Sequence, residues 1–316
     1  MHKVVITDHG YKSIEIEQAI VGAAGAKLEV GNGLESAALL DLIRDADALL
    51  VQWAKIDAAT IAQLTRCKVI VRYGIGVDNL DLAAAKAHGI AVCNVPDYGI
   101  DEVADHAVSL AVALGRQLPQ IDRRTRTGVW KILPVAPMPA FREMTFATAG
   151  FGRIARATLD RARGFKFKLA AYDPYVPAEA FAAAGVRQLT IDELFAEADV
   201  LSLHLPANEA TRHFVNTERL RRMKPTAILV NTARGPLVDE AALAVALAAG
   251  VIAAAGLDVF QQEPLAADSP LRAVPNALLT SHVAWYSEKS VPTLQHKAAE
   301  EVVRALRGEL LHNRLG

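Results

Sequence analysis

The chain has 316 residues, 52% of them hydrophobic and 22% charged, and its 34 basic and 35 acidic side chains leave a formal net charge of −1. That composition excludes a disordered chain and gives no bulk attraction to nucleic acid or to an anionic membrane, while the length suits about two domains of roughly 100 to 200 residues each. The opening run Met1 to Asp8 is too short an apolar stretch for a signal peptide, no stretch of about 20 apolar residues could span a bilayer, and Cys67 and Cys93 stand in no metal-ligand spacing. A cytoplasmic chain with reduced structural thiols and no metal is expected.

Short β-branched or apolar runs alternate with Ala/Leu-rich stretches along nearly the whole length. The runs are Val4 to Thr7, Ala48 to Gln52, Val69 to Arg72, Ala91 to Val95, Thr145 to Ala149, Lys168 to Tyr172, Val200 to His204, Ala227 to Asn231, Ala253 to Asp258 and Ala277 to Ser281. This is the βαβ rhythm of an α/β protein whose parallel sheets carry helices on both faces. Ten strands are too many for one small sheet, so two doubly wound, Rossmann-like units separated by a cleft are expected. Pro96 and Gly99 end a strand just before a helical stretch from about Asp101 to Arg116, which marks one crossing; a second is expected after Trp285. The predicted division is residues 1–98 with 288–316 as a discontinuous substrate-binding domain, to which a helix from about Glu288 to Arg307 returns, and residues 99–287 as the cofactor domain. The basic cluster Arg123-Arg124-Thr125-Arg126 reads as a solvated helix end, because no aromatic residue is interleaved with it. The segment Pro134 to Pro139 reads as a rigid loop.

Gly150-Phe151-Gly152-Arg153-Ile154-Ala155 follows an apolar strand and opens a helix that Gly164 can end, the context a dinucleotide fingerprint requires. Gly150 serves the tight turn, Gly152 the approach of backbone to pyrophosphate, and the helix N-terminus offers N–H donors and positive dipole. Asp173 closes the next strand 21 positions after Gly152, about where an acid meets the ribose hydroxyls and repels a 2′-phosphate. NAD is therefore the expected cofactor. Gly74-Ile75-Gly76 lacks a third small residue and an acid at the right offset, so it reads as backbone approaching a different ligand.

Three chemically distinct side chains stand near later strand ends: Arg234 in Asn231-Thr232-Ala233-Arg234-Gly235, Glu263 before Pro264, and His282 in Ser281-His282-Val283-Ala284-Trp285. Hydride addition to a 2-keto acid needs a cation for the carboxylate, an acid for the carbonyl oxygen and a group that holds that acid. From about Ala46 to Arg307 the chain resembles the D-isomer-specific 2-hydroxyacid dehydrogenases. The resemblance is carried by Gly74 to Asn79, Gly150 to Ala155, Ser202 to Pro206, Val230 to Glu240, Gly256 to Pro264 and Ser281 to Ser287 in one order, and the spacings of 29 from Arg234 to Glu263 and 19 from Glu263 to His282 fit it.

That resemblance implies an NAD-dependent enzyme that reduces a small 2-keto acid to the D-2-hydroxy acid, or runs the reverse. Arg234 would pair with the substrate carboxylate and polarise the carbonyl. His282 would be the general acid or base, and Glu263 would orient its imidazole. Arg72 and the amides of Ile75 and Gly76 would meet the carboxylate from the first domain. His204 and Pro206 would lie on the adenosine side of NAD, with Thr232, Ala233, Asp258 and Ala284 near the nicotinamide. The segments Ala284 to Glu288 and Ile90 to Pro96 look like the carboxy-terminal-binding-protein corepressors and their phosphoglycerate dehydrogenase-like relatives, and Trp285 would wall the substrate pocket. The alternative on the same fold is an NAD(H)-sensing, corepressor-like binding protein. A homodimer through the cofactor domain around Asp101 to Arg126, with neither nucleic acid nor membrane as partner, is also implied. His88, His106 and His296 lie outside every motif and are expected to be structural. The fingerprint strand departs from the family in reading Thr145-Phe146-Ala147-Thr148-Ala149 after Glu143, small side chains that would pack less tightly.

Overall fold

The computed structural model describes residues 1–134 and 136–315, so the Pro134 to Pro139 loop is described except at Val135, which lies outside the described residues. The chain forms two compact units, one of Met1–Gly99 with the segment from Tyr286 onward, the other of Ile100–Trp285. In chain order the first unit opens with β1 (Lys3–Ile6), α1 (Glu15–Ala23), β2 (Lys27–Val30), α2 (Ser36–Ile43), β3 (Ala48–Val51), α3 (Ala58–Ile61), β4 (Val69–Arg72), α4 (Leu82–Ala87) and β5 (Ala91–Cys93). The second comprises α5 (Ile100–Gly115), α6 (Leu118–Arg126), β6 (Thr145–Ala149), α7 (Arg153–Gly164), β7 (Lys168–Tyr172), α8 (Ala178–Ala183), β8 (Arg187–Gln188), α9 (Ile191–Glu197), β9 (Val200–Leu203), α10 (Thr217–Arg222), β10 (Ile228–Asn231), α11 (Glu240–Ala248), β11 (Ala254–Leu257) and β12 (Ala277–Leu279). The chain then returns to the first unit as α12 (Ser290–Arg307) and β13 (Arg314–Leu315).

The second unit is one seven-stranded parallel sheet in the order β12-β11-β10-β9-β6-β7-β8. The chain winds outward from β6 to β8, returns to the other side of β6 at β9 and winds outward again, so the direction reverses between β6 and β9, where loops part beyond the carboxyl ends of the strands and leave room for a ligand. The first unit has the order β13-β5-β4-β3-β1-β2, parallel except for β13, and reverses between β1 and β3. Both sheets lie between helical layers, so their central strands are apolar on both faces: Ala48–Val51 and Ile228–Asn231 are buried throughout.

The structure holds three strands that carry no apolar run in the sequence, namely β2, β8 and β13. The first two are sheet edges with exposed or half-exposed residues, and the last runs antiparallel beside β5. The fingerprint strand β6 is buried from Phe146 to Ala149 despite its small side chains, because it sits between β7 and β9, where Phe146 supplies the bulk on one face and packs edge-on against Phe167. The helix α5 uses its apolar stripe inside its own unit, burying Val103, Ala104, Ala107, Val108, Leu110, Ala111 and Leu114. By contrast α6, which holds the basic cluster, buries no residue.

Several short helices start where a side chain caps them: Asp57, Asp81, Asn216 and Asp239 each accept from an amide three residues on, and Thr190 with Glu193 forms a reciprocal capping box. In the first unit Glu17 of α1 is wholly buried, and its carboxylate accepts from the Tyr73 hydroxyl at 2.8 Å and from Gln295 Nε2 of α12 at 3.0 and 3.1 Å. This polar knot fixes α12 against α1. Replacing Gln295 with Leu strips one of the two donors from a buried carboxylate, and we expect a loss of about 1–3 kcal/mol, read as an earlier unfolding midpoint in urea; an unchanged midpoint would show the knot to be energetically idle.

Candidate active site

Asn231 ends β10, and its buried amide shapes the turn that follows. Its Nδ2 donates to the Arg234 carbonyl at 2.9 Å, and its Oδ1 accepts from the Ala233 amide at 3.1 Å. Arg234 leaves this turn in an extended conformation, half-buried, with Nη1 donating to the Ala233 carbonyl at 2.7 Å. Gly235 comes next for a steric reason: a Cβ there would lie 1.9 Å from the Phe260 carbonyl carbon. Only a residue without a side chain lets the loop after β10 touch the backbone of the loop after β11, and that contact brings the Phe260–Glu263 segment beside Arg234.

Glu263 is anchored through both oxygens. Oε1 accepts from the Phe260 amide at 2.9 Å and Oε2 from His282 Nδ1 at 2.6 Å. Burial by itself would raise this carboxyl, but the hydrogen bond and charge of His282, the Phe260 amide and the charge of Arg234 outweigh it and hold the pKa below its ordinary value. A carboxylate only accepts, so Nδ1 of His282 carries the proton of the shared bond and Nε2 is the nitrogen left to exchange one. His282 itself stands at φ 55°, in the left-handed region that a residue with a Cβ rarely adopts. The turn is held from two sides. The Trp285 indole donates to the His282 carbonyl at 2.8 Å, and Asp258, wholly buried at the end of β11, accepts from the amides of Val283 at 3.0 Å and Ala284 at 2.9 Å.

At the other side of the same sheet edge, Gly150 turns the chain at φ 98°, where a Cβ would come within 2.7 Å of the His204 carbonyl oxygen. The Phe151 side chain points inward and stacks on Phe181 at 4.3 Å, so this position offers a ligand only its backbone. Asp173 accepts from the Phe151 amide at 2.9 Å and from the Tyr175 amide at 3.0 Å, which ties the end of β7 to the fingerprint turn. His204 sits beside Ser202 Oγ at 2.9 Å, and desolvation pushes its pKa down to about 3, so it is a neutral ring. Arg153 and Pro206 are exposed, Ile154 and Ala233 half-buried, and Ala284 buried.

Three features of this edge fit a dinucleotide. Helix α7 begins at Gly152 without a side-chain cap, so its first amides remain available to phosphate oxygens. Space is open where a Gly152 Cβ would project. Thr232 Oγ1 is buried without a hydrogen-bond partner, a polar atom that a ligand group would satisfy.

In the first unit, Arg72 ends β4 and the Gly74-Ile75-Gly76 loop follows. That loop is fixed by Asn94, whose Nδ2 donates to the Ile75 carbonyl at 2.7 Å, and by the Val95 amide, which donates to the Gly74 carbonyl at 3.0 Å. Within the second unit, Arg234, Glu263 and His282 come together, with Trp285 on the His282 turn. Asn231, Gly235 and Thr280 support this arrangement without bearing any signal of their own in the sequence, since each acts through a bond to a residue distant in the chain or through a steric gap. No group of three or more His, Cys, Asp or Glu side chains among the described residues is arranged to hold a metal ion.

Residues 108–284 match the family model described as the D-isomer specific 2-hydroxyacid dehydrogenase, NAD binding domain. The D-3-phosphoglycerate dehydrogenase of Mycobacterium tuberculosis is 38% identical over 300 residues, covering 94% of this chain and 56% of that protein, so the chain spans a little over half the length of that relative. A glyoxylate reductase of Korarchaeum cryptofilum is 37% identical over 279 residues, which is 87% of this chain and 84% of that one. Among solved structures, the D-lactate dehydrogenase of Aquifex aeolicus complexed with NAD and lactic acid superposes with a TM-score of 0.90 at 25% identity, over 99% of both chains. With two parallel α/β units, a dinucleotide turn at the switch point of the second and this match across it, the chain belongs to the D-isomer-specific 2-hydroxyacid dehydrogenase family, in its phosphoglycerate dehydrogenase-like branch, and carries that family's NAD-binding domain.

Proposed function

We propose that the chain is an NAD-dependent dehydrogenase that reduces the C2 carbonyl of a small 2-keto acid to the D-2-hydroxy acid, or catalyses the reverse. The observation that carries this reading is the 2.6 Å bond between His282 Nδ1 and Glu263, with Arg234 close enough to lower the Glu263 pKa. An acid whose orientation is fixed, set beside a permanent cation, suits a reaction in which a carbonyl oxygen gains a proton while a carboxylate stays bound.

In this reading Arg234 pairs with the substrate carboxylate and draws electron density toward the carbonyl oxygen, and Arg72 with the amides of Ile75 and Gly76 also receives the carboxylate. His282 Nε2 delivers the proton to the C2 oxygen, and in the reverse direction removes it from the hydroxyl. The Glu263 carboxylate keeps the ring aligned and offsets the positive charge when both ring nitrogens are protonated. NAD, when bound, supplies or accepts the hydride. The turn at Gly150 and Phe151 would lie against its pyrophosphate and the amides of Gly152, Arg153 and Ile154 would donate to it, with Asp173 at its adenosine ribose, His204 and Pro206 at its adenosine side, and Thr232, Ala233, Asp258 and Ala284 at its nicotinamide end. A carboxylate at Asp173 disfavours a 2′-phosphate by charge repulsion, which supports NAD over NADP.

A homodimer through the second unit, around Asp101 to Arg126, is part of the proposal. The apolar stripe of α5 is spent inside its unit, and the exposed apolar surface lies beyond it, at Leu118, Trp130, Ile132 and Leu133, of which Trp130 is 84% and Ile132 95% exposed. Side chains of this size left in water favour a protein partner. A second copy is the partner proposed. No helix among the described residues is long and apolar enough to cross a membrane.

The test is NADH oxidation with a panel of 2-keto acids, including glyoxylate, pyruvate, hydroxypyruvate and phosphohydroxypyruvate. We expect turnover of at least one, with a fall of about 10²- to 10⁴-fold in His282→Ala. NADH binding without reduction of any acid would favour the NAD(H)-sensing reading. The depressed Glu263 pKa gives the sign of an acid-side effect: the carboxylate stays charged through mildly acidic solution and is neutralised only as pH falls through that lowered value. In kcat/KM against pH, Glu263→Gln should therefore lose the part of the acid limb that reports this carboxylate, at lower rate throughout; an acid limb unchanged from wild type would count against the pair. Size exclusion with light scattering should give a dimer, and a monomer for Trp130→Glu with Ile132→Glu. A wild-type monomer would refute the assembly.

A further inference from the structure

His106 has no motif around it, yet its position in the fold is specific. It lies on α5 four residues before Leu110, on the same helix face. That face is drawn tightly against the sheet at Gly256 of β11, where a Cβ would come within 2.9 Å of Leu110 Cβ. A close approach there sets the preceding turn of α5 over the carboxyl ends of β11 and β12. His106 Nε2 then lies 3.0 Å from Thr280 Oγ1 and 3.7 Å from Asp258 Oδ1, and Thr280 Oγ1 donates to Asp258 Oδ1 at 2.6 Å.

The direction of these bonds follows from counting protons. As a carboxylate Asp258 can only accept, so the single hydroxyl proton of Thr280 is committed to it. The contact between Thr280 and His106 must then use a proton from the ring, and His106 is a donor at Nε2. The donated bond enriches the hydroxyl oxygen and strengthens its bond to Asp258. Beyond Asp258 the chain of contacts reaches the residues on which the chemistry turns: His282 N donates to the Asp258 carbonyl at 2.8 Å, and the Val283 and Ala284 amides donate to its two carboxylate oxygens. Three consecutive amides thus hang from one residue, and they fix a backbone that places His282 in the left-handed region. A conformation of that kind persists only where its surroundings impose it.

We propose that His106 is a positioning residue: through Thr280 and Asp258 it holds the His282–Ala284 turn in the geometry from which the His282 ring meets Glu263 and the substrate. The inference rests on the dehydrogenase reading for its kinetic consequence and on the hydrogen bonds alone for its structural one. His106 makes no bond to Glu263 and is not among the residues proposed to hold the substrate, so its loss weakens the alignment of a step and leaves the keto-acid contacts in place.

The test compares His106→Ala, which removes the donor, with His106→Gln, whose Nε2 reaches a similar distance and restores one. In the cofactor-free protein, hydrogen exchange at the Val283 and Ala284 amides should quicken in His106→Ala and return toward wild type in His106→Gln, while the amides of α5 stay protected in both. In turnover, kcat of His106→Ala should fall by about tenfold or more, with KM for the keto acid within about twofold of wild type, and His106→Gln should recover most of the loss. Exchange confined to α5, or a Gln variant no better than Ala on both measures, would mean that His106 merely packs and would overturn the proposal. A wild type that turns over beside a His106→Ala variant of equal kcat would overturn it as well, leaving the dehydrogenase reading untouched. A wild type that reduces no 2-keto acid would remove that reading and the kinetic half of the proposal with it, and the exchange result would still decide whether the relay exists.

Discussion

The parallel register of β10, β11 and β12 is the constraint on which the candidate site depends. Asn231 faces Leu257 and Leu257 faces Leu279 across the ladder, so three neighbouring strands release the chain at one level. Thr232, Asp258 and Thr280 consequently begin their loops side by side, and Arg234, Glu263 and His282 each lie a few residues into a loop that starts from a rigid base. Strand hydrogen bonds do what a loop alone could not do. They remove the freedom of the ends, so the short segments between strand and functional side chain need only a few local bonds to be fixed.

Those local bonds share a pattern. A polar side chain at or just after a strand end turns back to bind backbone amides of a nearby segment: Asn231 for the Arg234 turn, Asp258 for the His282 turn, Asp173 for the fingerprint turn. Asp8 does the same in the first unit, where it accepts from the amides of Gln52, Trp53 and Ala54. A carboxylate that accepts several N–H bonds has its hydrogen-bonding capacity met by the backbone and can be buried without a cationic partner. The residues that a ligand would meet and the residues that brace them are then of one chemical type, and only the hydrogen-bond pattern tells them apart.

The central strands were legible because burial on both faces makes them continuous apolar runs, as at Ala48 to Val51 and Val200 to Leu203. The edge strands were not. In β2, Lys27–Val30 presents charged residues and half-exposed apolar ones, and β8 is two exposed residues long, so neither has a hydrophobic pattern to read. Loop positions after strands, and the fingerprint with its acid, follow from local order along the chain. The brace formed by His106 could not be read this way, since its partner Thr280 is 174 positions distant and the link exists only because α5 crosses β11 at a glycine. Which apolar surface a partner would cover is unreadable for a related reason: periodicity tells that a helix has an apolar face but not which neighbour covers it.

The left-handed backbone at His282 has an evolutionary consequence. For folding alone, Gly or Asn would suit that φ better than an imidazole-bearing residue, so the position is one where the residue most favourable to the native state differs from the one that can transfer a proton. Under the proposed function, mutation there would relieve strain while abolishing chemistry, and a lineage freed from selection for turnover would find that exchange open to it. On that proposal, the side chain present at position 282 would record what the fold has been kept for, more directly than the conformation of the turn itself.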